Sequence, residues 1–268
     1  MVWLGLVLVG VIAGVFSGMF GIGGGVVIVP ILTIFLGFGL TEATSTSLGA
    51  LLMPVGVFAV IQYYRSNLLD MRASMLLGFG LLATTALGAA GALEIEQFDP
   101  NLMKRIYGIF LIVMGWRFAE PRKLYRQWRE EPDPKTLQTI PVREDMPQLE
   151  GSWYLVLLIG LIAGVFSGMF GIGGGAVIVP MLVGFLNYDQ KRAVGTSLGA
   201  LLLPVGLPGV YVYALDGVLD FPVAAAVAVG LVFGSIVGAR VALGMSSAQV
   251  KQMYGFFLFA VAIRFIFF

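Results

Sequence analysis

Apolar residues in this chain fall into ten continuous blocks separated by short polar or glycine-rich breaks. They cover residues 3–19, 25–38, 46–64, 72–93 and 103–119 in the first half, and 153–169, 175–187, 196–214, 221–243 and 251–268 in the second. Runs of this kind predict helices surrounded by lipid or by one another, and hence an all-α polytopic membrane protein. A helix needs roughly 20 residues to cross the hydrocarbon, so the first two blocks of each half are short. They either cross separately or form a broken, re-entrant pair. In both cases each half ends on the side opposite its start.

The two halves are copies of one module. Ile12–Gly25 recurs letter for letter as Ile162–Gly175, 150 positions on. Val27–Pro30 returns as Val177–Pro180, and Thr46–Leu52 with Pro54 and Gly56 returns as Thr196–Leu202 with Pro204 and Gly206. Tyr107-Gly108 and Arg117-Phe118 are echoed by Tyr254-Gly255 and Arg264-Phe265, where the offset has slipped to 147. An odd module used twice must be inverted. The expected architecture is therefore two inverted-topology repeats of five hydrophobic segments each, residues 1–119 and 152–268, joined by a linker, 120–151.

Charge orients this arrangement. With the linker on one side, 13 of the 16 Lys and Arg residues fall on that side, which is then cytoplasmic with both termini outside. Equivalent loops carry opposite signs: Thr41-Glu42 corresponds to Lys191-Arg192, and the loop of Arg65 and Arg72 corresponds to that of Asp216 and Asp220. The linker opens with Arg122, Lys123, Tyr125, Arg126, Trp128 and Arg129, cations among aromatics as at a membrane interface. Pro132, Pro134, Pro141 and Pro147 make the remainder an extended tether.

Composition narrows the function. Hydrophobic residues make up 59% of the 268 and charged ones 12%, too few charges to cover the surface of a soluble domain. Mean hydropathy is +0.95. A net charge of +1 gives no ground for nucleic acid as a partner. Without Cys there is neither a disulfide nor a thiolate metal site, and without His the commonest metal ligand and usual general base are missing. No metal, cofactor or catalytic residue is expected, and the chain reads as no enzyme. Met1–Ser17 has the shape of a signal-peptide core, but it lacks a basic leader and recurs mid-chain, so it is read as a permanent membrane segment.

The candidate site lies in the runs Gly21-Ile22-Gly23-Gly24-Gly25 and Gly171-Ile172-Gly173-Gly174-Gly175. Each glycine costs a helix about 1 kcal/mol relative to Ala, so three in a row break it. Broken backbone at membrane depth persists only where protein buries it or water reaches it. Matching breaks in two inverted halves point to a substrate site. Gly21, Gly23, Gly24, Gly25, Gly171, Gly173, Gly174 and Gly175 are thus candidate ligands. The helix after each run would offer its first N–H groups, and about half a positive charge, to a small anion. A nucleotide loop is excluded, because neither the GxGxxG nor the Gly-Lys-Ser/Thr spacing is present. Tight helix packing accounts instead for Gly10, Gly14 and Gly18, for Gly160, Gly164 and Gly168, and for Gly230, Gly234 and Gly238, small residues four apart.

Thr46, Ser47, Thr196 and Ser197 open the third block of each half; their hydroxyls either donate to an oxyanion or cap the helix. Pro54 and Pro204 fall inside apolar helices, as hinges or fixed kinks. Pro208 has no proline counterpart at Phe58, which predicts a different bend in the second half. Arg117, Arg240 and Arg264 are expected to snorkel to the interface. No carboxylate stands mid-span to relay protons.

The doubled Gly-Xaa-Phe-Ser-Gly-Xaa-Phe-Gly-Ile-Gly-Gly-Gly…Pro pattern, followed by Thr-Ser-Leu, resembles the TauE/SafE family of sulfite-exporter-type permeases over nearly the whole chain. That resemblance implies an inner-membrane transporter exporting sulfite, sulfoacetate or other organosulfonates. It places the family's glycine motifs on Gly21–Gly25 and Gly171–Gly175, and its Thr-Ser positions on Thr46-Ser47 and Thr196-Ser197. The expected mechanism is alternating access between the repeats. An anion channel of the same architecture and a non-transporting membrane scaffold are the alternatives. The expected partners are a small anionic substrate and the lipid bilayer; the oligomeric state is left open.

Overall fold

The computed structural model describes residues 2–54, 56–119 and 153–267, which are helical with no strand among them. The first half contains α1 (Val2–Phe20), α2 (Gly25–Phe35), α3 (Leu40–Leu51), α4 (Val57–Arg65), α5 (Met71–Phe98) and α6 (Pro100–Ala119). The second contains α7 (Trp153–Phe170), α8 (Gly175–Phe185), α9 (Gln190–Ala200), α10 (Leu207–Leu215), α11 (Phe221–Gly244) and α12 (Ser247–Phe267). The 120–151 linker lies outside the described residues, as do the side chains of Arg117 and Arg264.

Among the described residues, four helices, α1, α5, α7 and α11, are long and apolar enough to cross a membrane. The two short blocks of each half now separate. The first is a helix of 19 residues in α1, about 28 Å long at 1.5 Å per residue. The second has 11 residues in α2 and in α8, about 16 Å, too short to cross alone.

The third block differs from the expectation of one helix containing a proline. It begins earlier, at Leu40 and Gln190, and it is two helices. Pro54 cannot donate a backbone hydrogen bond, so α3 ends at Leu51 and α4 starts anew where Val57 N bonds Pro54 O (3.0 Å). Pro204 does the same in the second half, where Leu207 N bonds Pro204 O (2.9 Å). Both prolines therefore stand in breaks between helices. Pro208 falls in the first turn of α10, where an N–H would have no helical partner, and α10 keeps the bounds of α4 shifted by 150.

The halves are exchanged rather than side by side. Along α1, Gly10, Gly14 and Gly18 lie against Gly230, Gly234 and Ser235–Ala239 of α11, in rising order, so these two helices run in the same direction. Along α7, Gly160, Gly164 and Gly168 lie in the same way against Leu77, Leu81 and Thr85 of α5. The absence of Cβ atoms lets backbone touch backbone, the usual means of helix association where no hydrophobic drive exists. Gly80, Thr84 and Gly88 complete the second seam, and Thr84 Oγ1 donates to Leu161 O (2.6 Å). The closing helices follow suit: Phe110 of α6 stacks on Phe166 of α7, and Phe257 of α12 on Phe16 of α1, with centroids 5.1 and 4.7 Å apart. Apolar side chains cover the outside too. Leu4, Leu8 and Ile12 on α1, and Val229, Phe233 and Val237 on α11, are exposed, as helices apolar all round are in lipid.

Candidate functional site

Each glycine run folds the chain back on itself. Gly21 N still bonds Ser17 O (2.8 Å) as the last turn of α1. The backbone then enters the left-handed region, with φ of +70° at Gly21, +74° at Gly23 and +91° at Gly24. The second loop repeats this at Gly171 (+67°), Gly173 (+70°) and Gly174 (+81°). A side chain in that region costs roughly 1–2 kcal/mol, so glycine is required. Gly24 and Gly174 are the residues that open α2 and α8. Gly24 O accepts from Val27 N and Ile28 N (2.9 and 3.0 Å), and Gly174 O accepts from Val177 N and Ile178 N (both 3.0 Å). No side chain caps either helix. The amides of Gly25 and Val26, and of Gly175 and Ala176, thus have no backbone acceptor among the described residues, although all four residues are buried.

The two loops meet each other. A Cβ built on Gly25 would overlap Gly171 O, and one on Gly175 would overlap Gly21 O. A Cβ on Gly23 or on Gly173 would lie 3.6 Å from the other's Cα. All ten loop residues are buried. Six of the eight glycines singled out from the sequence, Gly21, Gly23, Gly25, Gly171, Gly173 and Gly175, meet across the two loops with reciprocal geometry, while Gly24 faces Leu231 and Ala13 and Gly174 faces Leu81 and Ala163.

The hydroxyl residues divide. Ser47 Oγ donates to Gly171 O (2.7 Å) and Ser197 Oγ to Gly21 O (2.8 Å), so each serine ties down the loop of the opposite half. Thr196 Oγ1 accepts from Asp70 N (3.1 Å) instead, while the buried Thr46 Oγ1 has no partner among the described residues. None of the four caps a helix: α3 and α9 begin six residues earlier, after Gly39 and Asp189. Removing either serine hydroxyl leaves a buried carbonyl with one bond fewer, at a cost of about 1–3 kcal/mol. Ser47→Ala and Ser197→Ala are accordingly expected to lower the thermal midpoint of the purified protein, and an unshifted midpoint would show the bonds to be incidental.

Two tyrosines that sequence reasoning passed over support the same loops. Tyr63 OH donates to Gly18 O (3.1 Å) and Tyr213 OH to Gly168 O (2.8 Å), and both side chains are fully buried. Their spacing of 150, the same as that of the glycines, was the available signal.

The model of one family, Sulfite exporter TauE/SafE, matches residues 6–265. This chain belongs to the TauE/SafE family. Among its relatives, a probable membrane transporter protein of Methanocaldococcus jannaschii is 30% identical over 260 residues, 92% of this chain and 89% of the relative. The probable membrane transporter protein YunE of Bacillus subtilis is 24% identical over 273 residues, covering 98% and 96% of the two chains. A sulfite exporter TauE/SafE family protein of Arabidopsis thaliana is 37% identical, but over only 60 residues, 22% of this chain and 13% of that one. No solved structure matches. Family membership and the apolar helices make this TauE/SafE chain an integral membrane protein of a transporter family.

Proposed function

We propose that the protein exports small sulfur-containing oxyanions, sulfite or short organosulfonates such as sulfoacetate, across the inner membrane by alternating access of two inverted repeats. The carrying observation is the pair of half-length helices α2 and α8, in which the first two amides lie in buried residues without a backbone acceptor among the described residues and stand at two glycine loops in mutual contact. A buried N–H without an acceptor is costly unless a ligand supplies one. An oxyanion supplies several, and it is drawn to the positive end of each helix. Sulfonate and sulfite oxygens suit this chemistry, and the family description names sulfite. Ser47 and Ser197 act here by fixing the loop carbonyls, which keeps the amides presented to the anion. The excess of Lys and Arg on the linker side supports a cytoplasmic linker and external termini. Under that orientation, an inside-negative potential favours efflux by about 2.3 kcal/mol per charge per 100 mV.

The test is flux of sulfite and of a short organosulfonate from liposomes containing the purified protein, with and without an imposed potential. Saturable flux that rises with a potential negative on the anion-loaded side is expected. Ohmic single-channel current would replace the transporter reading by a channel, and no flux of either anion would reject the substrate class.

A further inference from the structure

Asp70 gathers groups from the opposite half of the chain. Its Oδ1 caps α5, accepting from Ala73 N (3.0 Å). Its Oδ2 accepts from Tyr188 OH (2.9 Å) and from Arg192 Nη2 (3.2 Å). The Asp70 amide donates to Thr196 Oγ1 (3.1 Å), and one turn on Ser74 Oγ donates to Thr196 O (2.8 Å). The Arg192 guanidinium also lies over the Tyr188 ring, 5.1 Å from its centroid. Burial, and then the neighbouring Asp70 carboxylate, raise the Tyr188 phenol above its usual range, so it stays a donor. The ion pair is largely shielded, with Arg192 17% and Asp70 12% exposed.

The position of this cluster is fixed by the α5–α7 seam. The two helices run in the same direction, so the head of α5, where Asp70 sits, lies at the end of the molecule where α7 begins after the linker. The opposite end holds the repeat-related residues 150 positions away: Asp220 for Asp70, Phe38 for Tyr188, Glu42 for Arg192, Thr46 for Thr196 and Ala224 for Ser74. The cation has become a second acid, and the hydroxyls of Tyr188 and Ser74 are lost in Phe38 and Ala224. Asp220 caps Val223 N (3.1 Å), Glu42 turns to Gly39 N (3.2 Å) and Thr46 Oγ1 is unpaired among the described residues. Ser45 Oγ donating to Val218 O (3.2 Å) bridges the halves there. One end is thus clasped by an ion pair and three cross-half hydrogen bonds, and at the other like charges occupy the same places.

We infer that Asp70, Tyr188 and Arg192 form a latch that holds the linker end of the glycine-loop site shut and opens when that end admits substrate. The inference rests on the alternating-access reading above. It makes the two ends chemically different: the linker end closes by attraction between opposite charges, whereas the equivalent positions at the far end carry Glu42 and Asp220, two acids that form no such ion pair among the described residues.

Because the chain has no cysteine, a single introduced thiol reports by itself. Leu201 Cδ1 would stand 3.0 Å from a Gly23 Cβ, and Leu51 Cδ1 stands 2.9 Å from the equivalent point on Gly173, which makes them matched reporters. The full-length protein carrying Leu201→Cys is reconstituted in lipid vesicles and labelled from the linker face with a charged, membrane-impermeant methanethiosulfonate. Adding Arg192→Gln or Asp70→Asn is expected to raise the labelling rate about five-fold, the scale of one lost partly buried interaction. Asn keeps the helix cap. Arg192→Lys should stay near the parent rate and Tyr188→Phe should fall between. Leu51→Cys labelled from the other face should slow. Unchanged rates with Arg192→Gln overturn the latch, and so does an equal rise at both reporters, which signals general loosening. Latch-dependent labelling without any anion flux would leave the latch standing and remove the transport reading, so the two fail separately.

Discussion

Alanine at Gly25 is expected to cut anion flux about a hundred-fold while leaving most of the helical structure in place, and Gly175→Ala should do the same. Gly25 is an ordinary helical residue, outside the left-handed region occupied by Gly21, Gly23 and Gly24, so the substitution adds no backbone strain of its own. Its effect comes entirely from where the new methyl must go. That place is already filled by Gly171 O, with Ile172 Cα 2.6 Å away. Both are backbone atoms of the opposite loop, and neither can rotate aside. The loops must part by the thickness of a methyl group, at an overpacking cost of about 1–3 kcal/mol. Displacements near 1 Å at a positioned site cost on the order of a hundred-fold in rate, so flux is expected to fall about that far. Gly23→Ala is the comparison. Its closest contact is the flexible tip of Leu201 at 3.0 Å, with the opposite loop at an ordinary 3.6 Å, but it carries a φ of +74°, so it loses less by contact and something by strain. Flux through vesicles, normalised to monodisperse protein, is the measurement. Parental flux from Gly25→Ala would mean that the loop contact is no part of the pathway.

Gly14→Leu should destabilise the folded protein strongly. Gly14 lies in the α1–α11 seam, where even a Cβ would come within 2.5 Å of Leu231 O and 2.9 Å of Gly234 Cα. A leucine pushes the two helix axes apart along their shared length and opens the neighbouring contacts at Gly10 and Gly18. A cost of about 3 kcal/mol or more follows from overpacking, which corresponds to a fall of roughly 10 °C in the thermal midpoint for a chain of this size. Gly5→Leu on the same helix meets nothing within 4 Å and should leave the midpoint almost unmoved. Melting of both variants in detergent, with elution volume as a check on assembly, decides the matter. Equal behaviour would show that the seam tolerates separation.

Much of this was legible in the letters. Helix content, glycine loops and packing stripes all follow from local chemistry: a triple glycine cannot continue a helix, and glycines four apart mark a contact face. The partners of those faces were not legible. Gly10, Gly14 and Gly18 had no sequence reason to prefer α11 over a helix of their own half, because the choice is made by tertiary packing. The third block was misread for a related reason. Its apolar count suggested a helix starting near Thr46, but the polar stretch Leu40–Ser45 is helical because it is buried beneath the other half's loop, with Thr44 lying against Gly171. Ser47 and Ser197 were found as hydroxyls near a site, yet their acceptors, carbonyls more than a hundred residues away, could not be read from spacing. The latch around Asp70 was half visible, in the sign reversal between Glu42 and Arg192, and needed the fold to bring Tyr188 and Arg192 onto one carboxylate.

The exchange of helices also sets a timetable for biogenesis. The seam of α1 ends at Phe20, but its partner begins at Phe221, so α1 has to wait for about 200 further residues to be made. At 5–20 residues per second that interval is on the order of ten seconds or more. Throughout it, the bare glycine ridge of α1 faces lipid or whatever helix drifts beside it. Neither half can mature on the ribosome as a finished unit, and quality control of this protein amounts to keeping an early helix unpaired until the right neighbour arrives.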